Sequence, residues 1–185
     1  MTKVLRRAEK ERQVLEEGLR ACRLADPCPK EETYSRLRDT AKFVQLIARN
    51  TFAYGVALDV AEGKETAKAE WSTARYYAGL LREHVENQRE NFKGKKQDYL
   101  EIYSSYIDTY LVVELIAESE KEIPDFENFE RIAKELADVE QFLAARIRGF
   151  ADDDLAKSPE VPGIRASLRS VRAHKNAAKA LIAAR

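Results

Sequence analysis

Apolar residues recur along this chain at spacings of three and four, and no window alternates convincingly with a period of two. That pattern predicts α-helix almost from end to end. A first helix is predicted over about Thr2 to Leu24, stopping at Asp26-Pro27-Cys28-Pro29 because proline disfavours helical geometry in the residue before it. A second runs from about Lys30 to Glu62, with Gly63 just past its end, where a positive φ costs glycine little. Its second half is apolar on nearly all sides, which predicts the central helix of the core. A third, about Lys64 to Phe92, repeats Ala67, Trp71, Ala74, Ala78, Leu81, Val85, Gln88 and Phe92. That is a seam of coiled-coil spacing, suited to near-parallel packing on a neighbour. Lys93-Gly94-Lys95-Lys96 interrupts it. A fourth helix spans about Gln97 to Lys121, and Asp125, after Pro124, is placed to cap a fifth. The stripe of the fifth is Phe129, Ile132, Leu136, Val139, Leu143 and Ile147. Gly149 and Asp152-Asp153-Asp154 open a loop over residues 151–163, holding Pro159 and Pro162-Gly163, before a last helix from about Ile164 to Ala184. The expected architecture is a single all-α domain over residues 1–185, an antiparallel bundle of six or seven helices.

Composition narrows the class without naming a function. The length of 185 residues suits one domain. Hydrophobic residues make 44% and charged residues 35%, with only 7 Gly and 5 Pro, which excludes collagen, a disordered chain and a secreted disulfide scaffold. The most apolar stretch, Phe43 to Ala61, is interrupted by Gln45, Arg49, Asn50 and Asp59, so it predicts a buried helix and not a membrane span. No apolar secretory segment is visible near Met1, and a cytoplasmic location is expected. Cys22 and Cys28 are the only cysteines, and in that compartment free thiols are expected in preference to a local disulfide.

The net charge is zero, yet its distribution is uneven. From Gly163 to Arg185 there are six basic residues and no acidic one, whereas Lys96 to Glu130 holds ten acidic residues and two basic ones. At about 100° per residue, Arg165, Arg169, Arg172 and Lys179 fall within an arc of about 80°, with Ile164, Val171, Ala178 and Ile182 a quarter-turn away. The last helix can therefore seat itself and still present a ridge of cations. Such a ridge fits phosphates, which attract Arg and Lys whatever the base sequence, and it equally fits a solvated face or pairing with the acidic fourth helix. Arg6, Arg7, Lys10 and Arg12 add cations on the first helix, diluted by Glu9 and Glu11.

Other chemistry is thinner. Tyr99, Tyr103, Tyr106 and Tyr110 form a ladder that could stack on bases or pack as a helix seam, and the seam is the expectation. Glu114 and Glu118, one turn apart, could share a hard cation with Asp138 if the fourth and fifth helices met face to face. The paired Glu-x-x-His motifs of ferritin-like di-iron sites are absent, because Leu81 and Val171 precede His84 and His174 by three. Arg169 and His174, with four residues between and Ser170 after the arginine, resemble the Arg-x4-6-His signature of HEPN-type ribonuclease domains, in which the pair serves phosphate and acid–base roles.

Taken in order, several segments resemble the translin family over about Tyr34 to the C-terminus. Gly63-Lys64-Glu65 through Ala74-Arg75 is similar to that family's Gly-Glu break between two early helices. Asp98-Tyr99-Leu100 through Tyr110 to Glu114 is similar to its acidic helix, Leu136-Ala137-Asp138 to its Leu-Ala-Asp turn, and Pro162-Gly163-Ile164-Arg165 to the start of its basic terminal helix. The resemblance implies an oligomer that binds single-stranded RNA or DNA, and in some members a magnesium-dependent ribonuclease. Asp138 matches one catalytic aspartate, but Tyr110-Leu111-Val112-Val113-Glu114 offers one acid where the family has a Glu-x-x-Glu pair, and Phe142 replaces a further glutamate.

The expectation is a cytoplasmic, self-associating helical protein that binds single-stranded nucleic acid. Its binding residues would be Arg165, Arg169, Arg172, Lys179, Arg6 and Arg7. No cofactor is expected, and no membrane partner. The rivals are a scaffold with no nucleic-acid role, and a nuclease acting with magnesium through Asp138, Glu114 and Glu118 or without it through Arg169 and His174.

Overall fold

The computed structural model describes residues 3–24, 28, 30–151, 155 and 158–184. Six α-helices pack together among them: α1 (Lys3–Arg23), α2 (Glu31–Ala61), α3 (Glu65–Arg89), α4 (Lys96–Ser119), α5 (Phe126–Arg148) and α6 (Val161–Ala183). A 3-10 turn, Glu90–Phe92, follows α3, so the predicted third helix finishes in a tighter winding. No strand occurs among the described residues, and no described helix is long and apolar enough to cross a membrane. The aspartates at 152–154, read from sequence as a loop and cap, lie outside the described residues, as do three of the four residues in the predicted stop after α1.

Helix ends follow local chemistry. Gly63 has φ of +75°, and the N–H groups of Gly63 and Lys64 donate to the carbonyls of Val60 and Asp59, each at 2.9 Å. These two bonds satisfy carbonyls that the end of α2 would otherwise leave open. Asp125 caps α5, its carboxylate accepting from the Glu127 N–H at 3.0 Å. At the other end of the chain, α6 begins three residues before the predicted Ile164, with Pro162 inside its first turn. Proline is tolerated there because a first-turn N–H has no helical acceptor to lose.

Two expectations need correction. The central helix is α4, not α2. Helix α4 packs against α2, α3, α5 and α6, and its buried residues run round the cylinder from Tyr99 and Leu100 to Leu115 and Glu118. On α2, by contrast, Phe43, Val44 and Ile47 are 58%, 41% and 44% exposed. An all-round apolar sequence implies enclosure, but α2 is covered mainly by α1, α3 and α4, and its outer face stays open at Phe43, Val44 and Ile47. The second correction concerns the cysteines. Cys22 and Cys28 form a disulfide, because the end of α1 and the approach to α2 bring their Cα atoms to 5.1 Å.

The tyrosine ladder is part of this core. All four rings are buried, with Tyr99 5.3 Å from Tyr103 and Phe92 edge-on to Tyr103 at 5.9 Å. The predicted stripe of α5 is likewise inside, except that Ile147 is only partly covered. Glu118, 3% exposed, survives burial because three donors meet it: the Asp125 N–H at 2.8 Å, Asn128 Nδ2 at 2.7 Å and Lys121 Nζ at 2.8 Å. Burial pushes its carboxyl up, but these donors outweigh burial and hold it below the usual carboxylate range.

Two stability measurements check this arrangement. Leu111→Ala on α4 is expected to cost about 2–5 kcal/mol in chemical denaturation, whereas Val44→Ala on the open face of α2 stays within about 0.5 kcal/mol; equal losses would remove α4 from the centre. Glu118→Gln is expected to cost about 1–3 kcal/mol at neutral pH. Because the folded carboxyl titrates below the unfolded one, that contribution is complete above the ordinary carboxylate range and is lost as pH falls through the folded value. The gap between wild type and variant therefore closes in acid, and a gap independent of pH would contradict the assignment.

Candidate nucleic-acid interface

Helix α6 seats itself on α5 and α4 through Ile164, Leu168, Val171 and Ala178, all buried. About a quarter-turn round, Arg165, Arg169, Arg172 and Lys179 are exposed, as the helical spacing requires. Their electrostatic states differ. Arg172 Nε donates to Glu140 Oε1 on α5 at 2.8 Å, and Lys175 Nζ reaches the other oxygen of the same carboxylate. Those two cations hold the Glu140 carboxyl below its usual range, so the acid stays ionised and keeps Arg172 neutralised. Arg165, Arg169 and Lys179 make no ion pair among the described residues. The open ridge is thus three cations, with Arg172 at its edge.

The first helix contributes less than expected. Arg7 donates to Glu11 at 2.7 Å and Arg12 to Glu16 at 2.7 Å, each pair one turn apart on its own helix. Arg6 is exposed. The tyrosines cannot serve as a stacking platform, since their rings are enclosed by the core.

The acids proposed as metal ligands do not converge. Glu114 is held by Arg82 at 2.8 Å and by Arg131, Glu118 by its three donors, and Asp138 by Lys96 at 2.9 Å. Glu114 and Glu118 border one cleft and Asp138 another. Among the described residues, no group of three or more His, Cys, Asp or Glu could hold a metal ion. Arg169 and His174 also fail to meet. Five residues apart, they project about 140° from each other around α6; Arg169 is exposed while His174 packs toward Asp108.

Two features escaped the sequence reading. Arg89, Lys93 and Lys96 line a cleft of about 340 Å³ with Phe92 and Tyr99, where Gly94 turns with φ of +77°. The dense run Lys93, Lys95, Lys96 was the available signal. The second is a polar cleft between α2, α4 and α6, where Asp108 lies buried. Its signal was a single charge within the apolar run Tyr106-Ile107-Asp108-Thr109-Tyr110-Leu111.

Comparison with family models, curated proteins and solved structures finds no match. The likeness to translins therefore rests on the sequence segments quoted above.

Proposed function

We propose that this protein binds single-stranded RNA or DNA, without cleaving it, as a self-associating antiparallel helical bundle. The observation that carries the reading is the row of Arg165, Arg169 and Lys179, exposed and without an ion pair among the described residues, on a helix whose adjacent face is anchored in the core. A rigid helix holds these charges at fixed spacing, and phosphates are the ligand that such a row recognises without regard to base. With the tyrosine ladder enclosed, those four rings offer no stacking contact, and the ridge itself would draw its affinity from the strand's backbone. The single-strand preference follows from the translin resemblance. Ribonuclease chemistry has less support, because each candidate acid is engaged by a cation or a set of donors.

Self-association is supported by α2, where Leu37, Val44 and Ile47 are exposed and a groove of about 610 Å³ runs from Val44 to Asp59. Apolar surface of this kind is commonly covered in an assembly. A cytoplasmic location goes with the strand-binding role. There the Cys22–Cys28 bond would face a reducing thiol pool and open.

Filter retention of a labelled oligonucleotide at low salt tests the ridge. Wild type is expected to be retained, with log affinity falling against log salt at a slope of about −2 for three single-strand phosphate contacts. Arg165→Ala, Arg169→Ala and Lys179→Ala together should abolish retention; unchanged retention would remove the ridge from the account. For the assembly, Ile47→Glu should lower the solution mass measured by light scattering, and an unaltered oligomer would exclude this face of α2.

A further inference from the structure

The cleft between α2, α4 and α6 has a volume of about 490 Å³, and α5 closes one wall with Val139 and Leu143. Asp108, 8% exposed, borders it from α4, and Asp108 Oδ1 is buried with no hydrogen-bond donor. Asn50, on α2, gives its Nδ2 to Ser105 at 3.1 Å, while its Oδ1 is also buried and without a donor. Two acceptors at one cleft, one of them a carboxylate, are thus left unfilled. Each such oxygen forfeits its hydration on folding, and a carboxylate forfeits most.

The surrounding groups do not fill this deficit. From α6, His174 Nδ1 lies 3.6 Å from Asp108 Oδ1, outside hydrogen-bond range, and 3.4 Å from Ser170 Oγ. Ser170 and Asp108 address the same ring nitrogen, so this is no serine–histidine–aspartate relay, which needs them on opposite nitrogens. From α2, Tyr54 bonds Ser170 through its hydroxyl, and burial pushes that phenol up, keeping it neutral. No Lys or Arg lines the cleft. The hydroxyls of Thr51, Ser104 and Ser167 also line the cleft, but none bonds Asp108 Oδ1. One carboxylate beside hydroxyls and apolar walls suits a cation that brings its own N–H donors and a carbon body.

We propose that this cleft binds a small organic ammonium. The ammonium would donate to the Asp108 carboxylate and lie beside Asn50, with its alkyl part along Val139, Leu143 and Val171. A divalent metal suits the place poorly, because one carboxylate is the cleft's whole anionic complement. The site is separate from the cationic ridge. On α6, Ser170 and His174 stand about 100–180° from Arg165, Arg169 and Lys179, so this inference does not depend on strand binding.

Calorimetric titration of the full chain in mildly alkaline buffer tests it with butylammonium chloride as the probe. Saturable binding is expected for wild type, weakened about tenfold or more in Asp108→Asn, which keeps the shape and removes the charge. Tetramethylammonium chloride, which has no N–H, and potassium chloride should give no saturable heat. The proposal is overturned if wild type binds no butylammonium, if either control salt binds equally well, or if Asp108→Asn binds as tightly as wild type. Should that variant fail to fold by circular dichroism, Asn50→Leu is read by the same criteria.

Discussion

Enclosure of α4 depends on partners inside the molecule for its buried polar groups at Thr109, Tyr110 and Glu118. Surrounding a helix with four others removes water from the side chains of Thr109, Tyr110 and Glu118 as well as from Leu111 and Val112. Thr109 returns its hydroxyl proton to the Ser105 carbonyl at 3.0 Å, and Tyr110 reaches Glu135 at 3.3 Å. Glu118 goes further and fastens the turn into α5 through the Asp125 N–H. Hydrophobic burial drives the helices together, and the bonds of Tyr110 and Glu118 tie α4 to α5 and its cap. Asp108 stands apart because its inward oxygen has no such partner.

Charge is arranged on the same logic. Around Glu114, Arg82 and Arg131 supply a half-buried network in which Arg131 also holds Glu135. Burial disfavours the Arg131 cation, yet the two carboxylates more than offset it and raise its pKa. Glu140 performs a similar service between α5 and α6. Glu114, Asp138 and Glu140 are thereby engaged in holding helices to one another or to the approach to α4. On α6, Arg165, Arg169 and Lys179 keep no acid partner among the described residues, and the segment from Gly163 onward holds no acid of its own, so a chain of zero net charge still carries a positive edge there.

Much of the fold was legible because helix periodicity is local. Gly63 and Asp125 marked their helix ends through backbone geometry and capping, which depend on few neighbours. Burial was harder to read. The apolar residues of α2 and α4 look alike in sequence, and only the number of helices around each separates a central helix from an outer one. The ridge on α6 was visible as spacing, but the loss of Arg172 to Glu140 required knowing that α5 packs beside it. Arg169 and His174 match a spacing pattern while the helix turns them apart. A six-residue separation in sequence does not reveal that Cys22 and Cys28 come within 5.1 Å between their Cα atoms, which depends on how α1 and α2 are placed.

Helix α6 presents its guanidinium groups on one flank and Ser170 and His174 on the other, with the buried strip between them. A strand and a small cation could occupy the two flanks together without touching. Communication between such ligands would have to pass as a rolling of the whole cylinder about its own axis, which the contacts of Ile164, Leu168 and Val171 resist. The geometry therefore gives one helix two differently charged flanks, joined along its open face by Ala166 and Ala173.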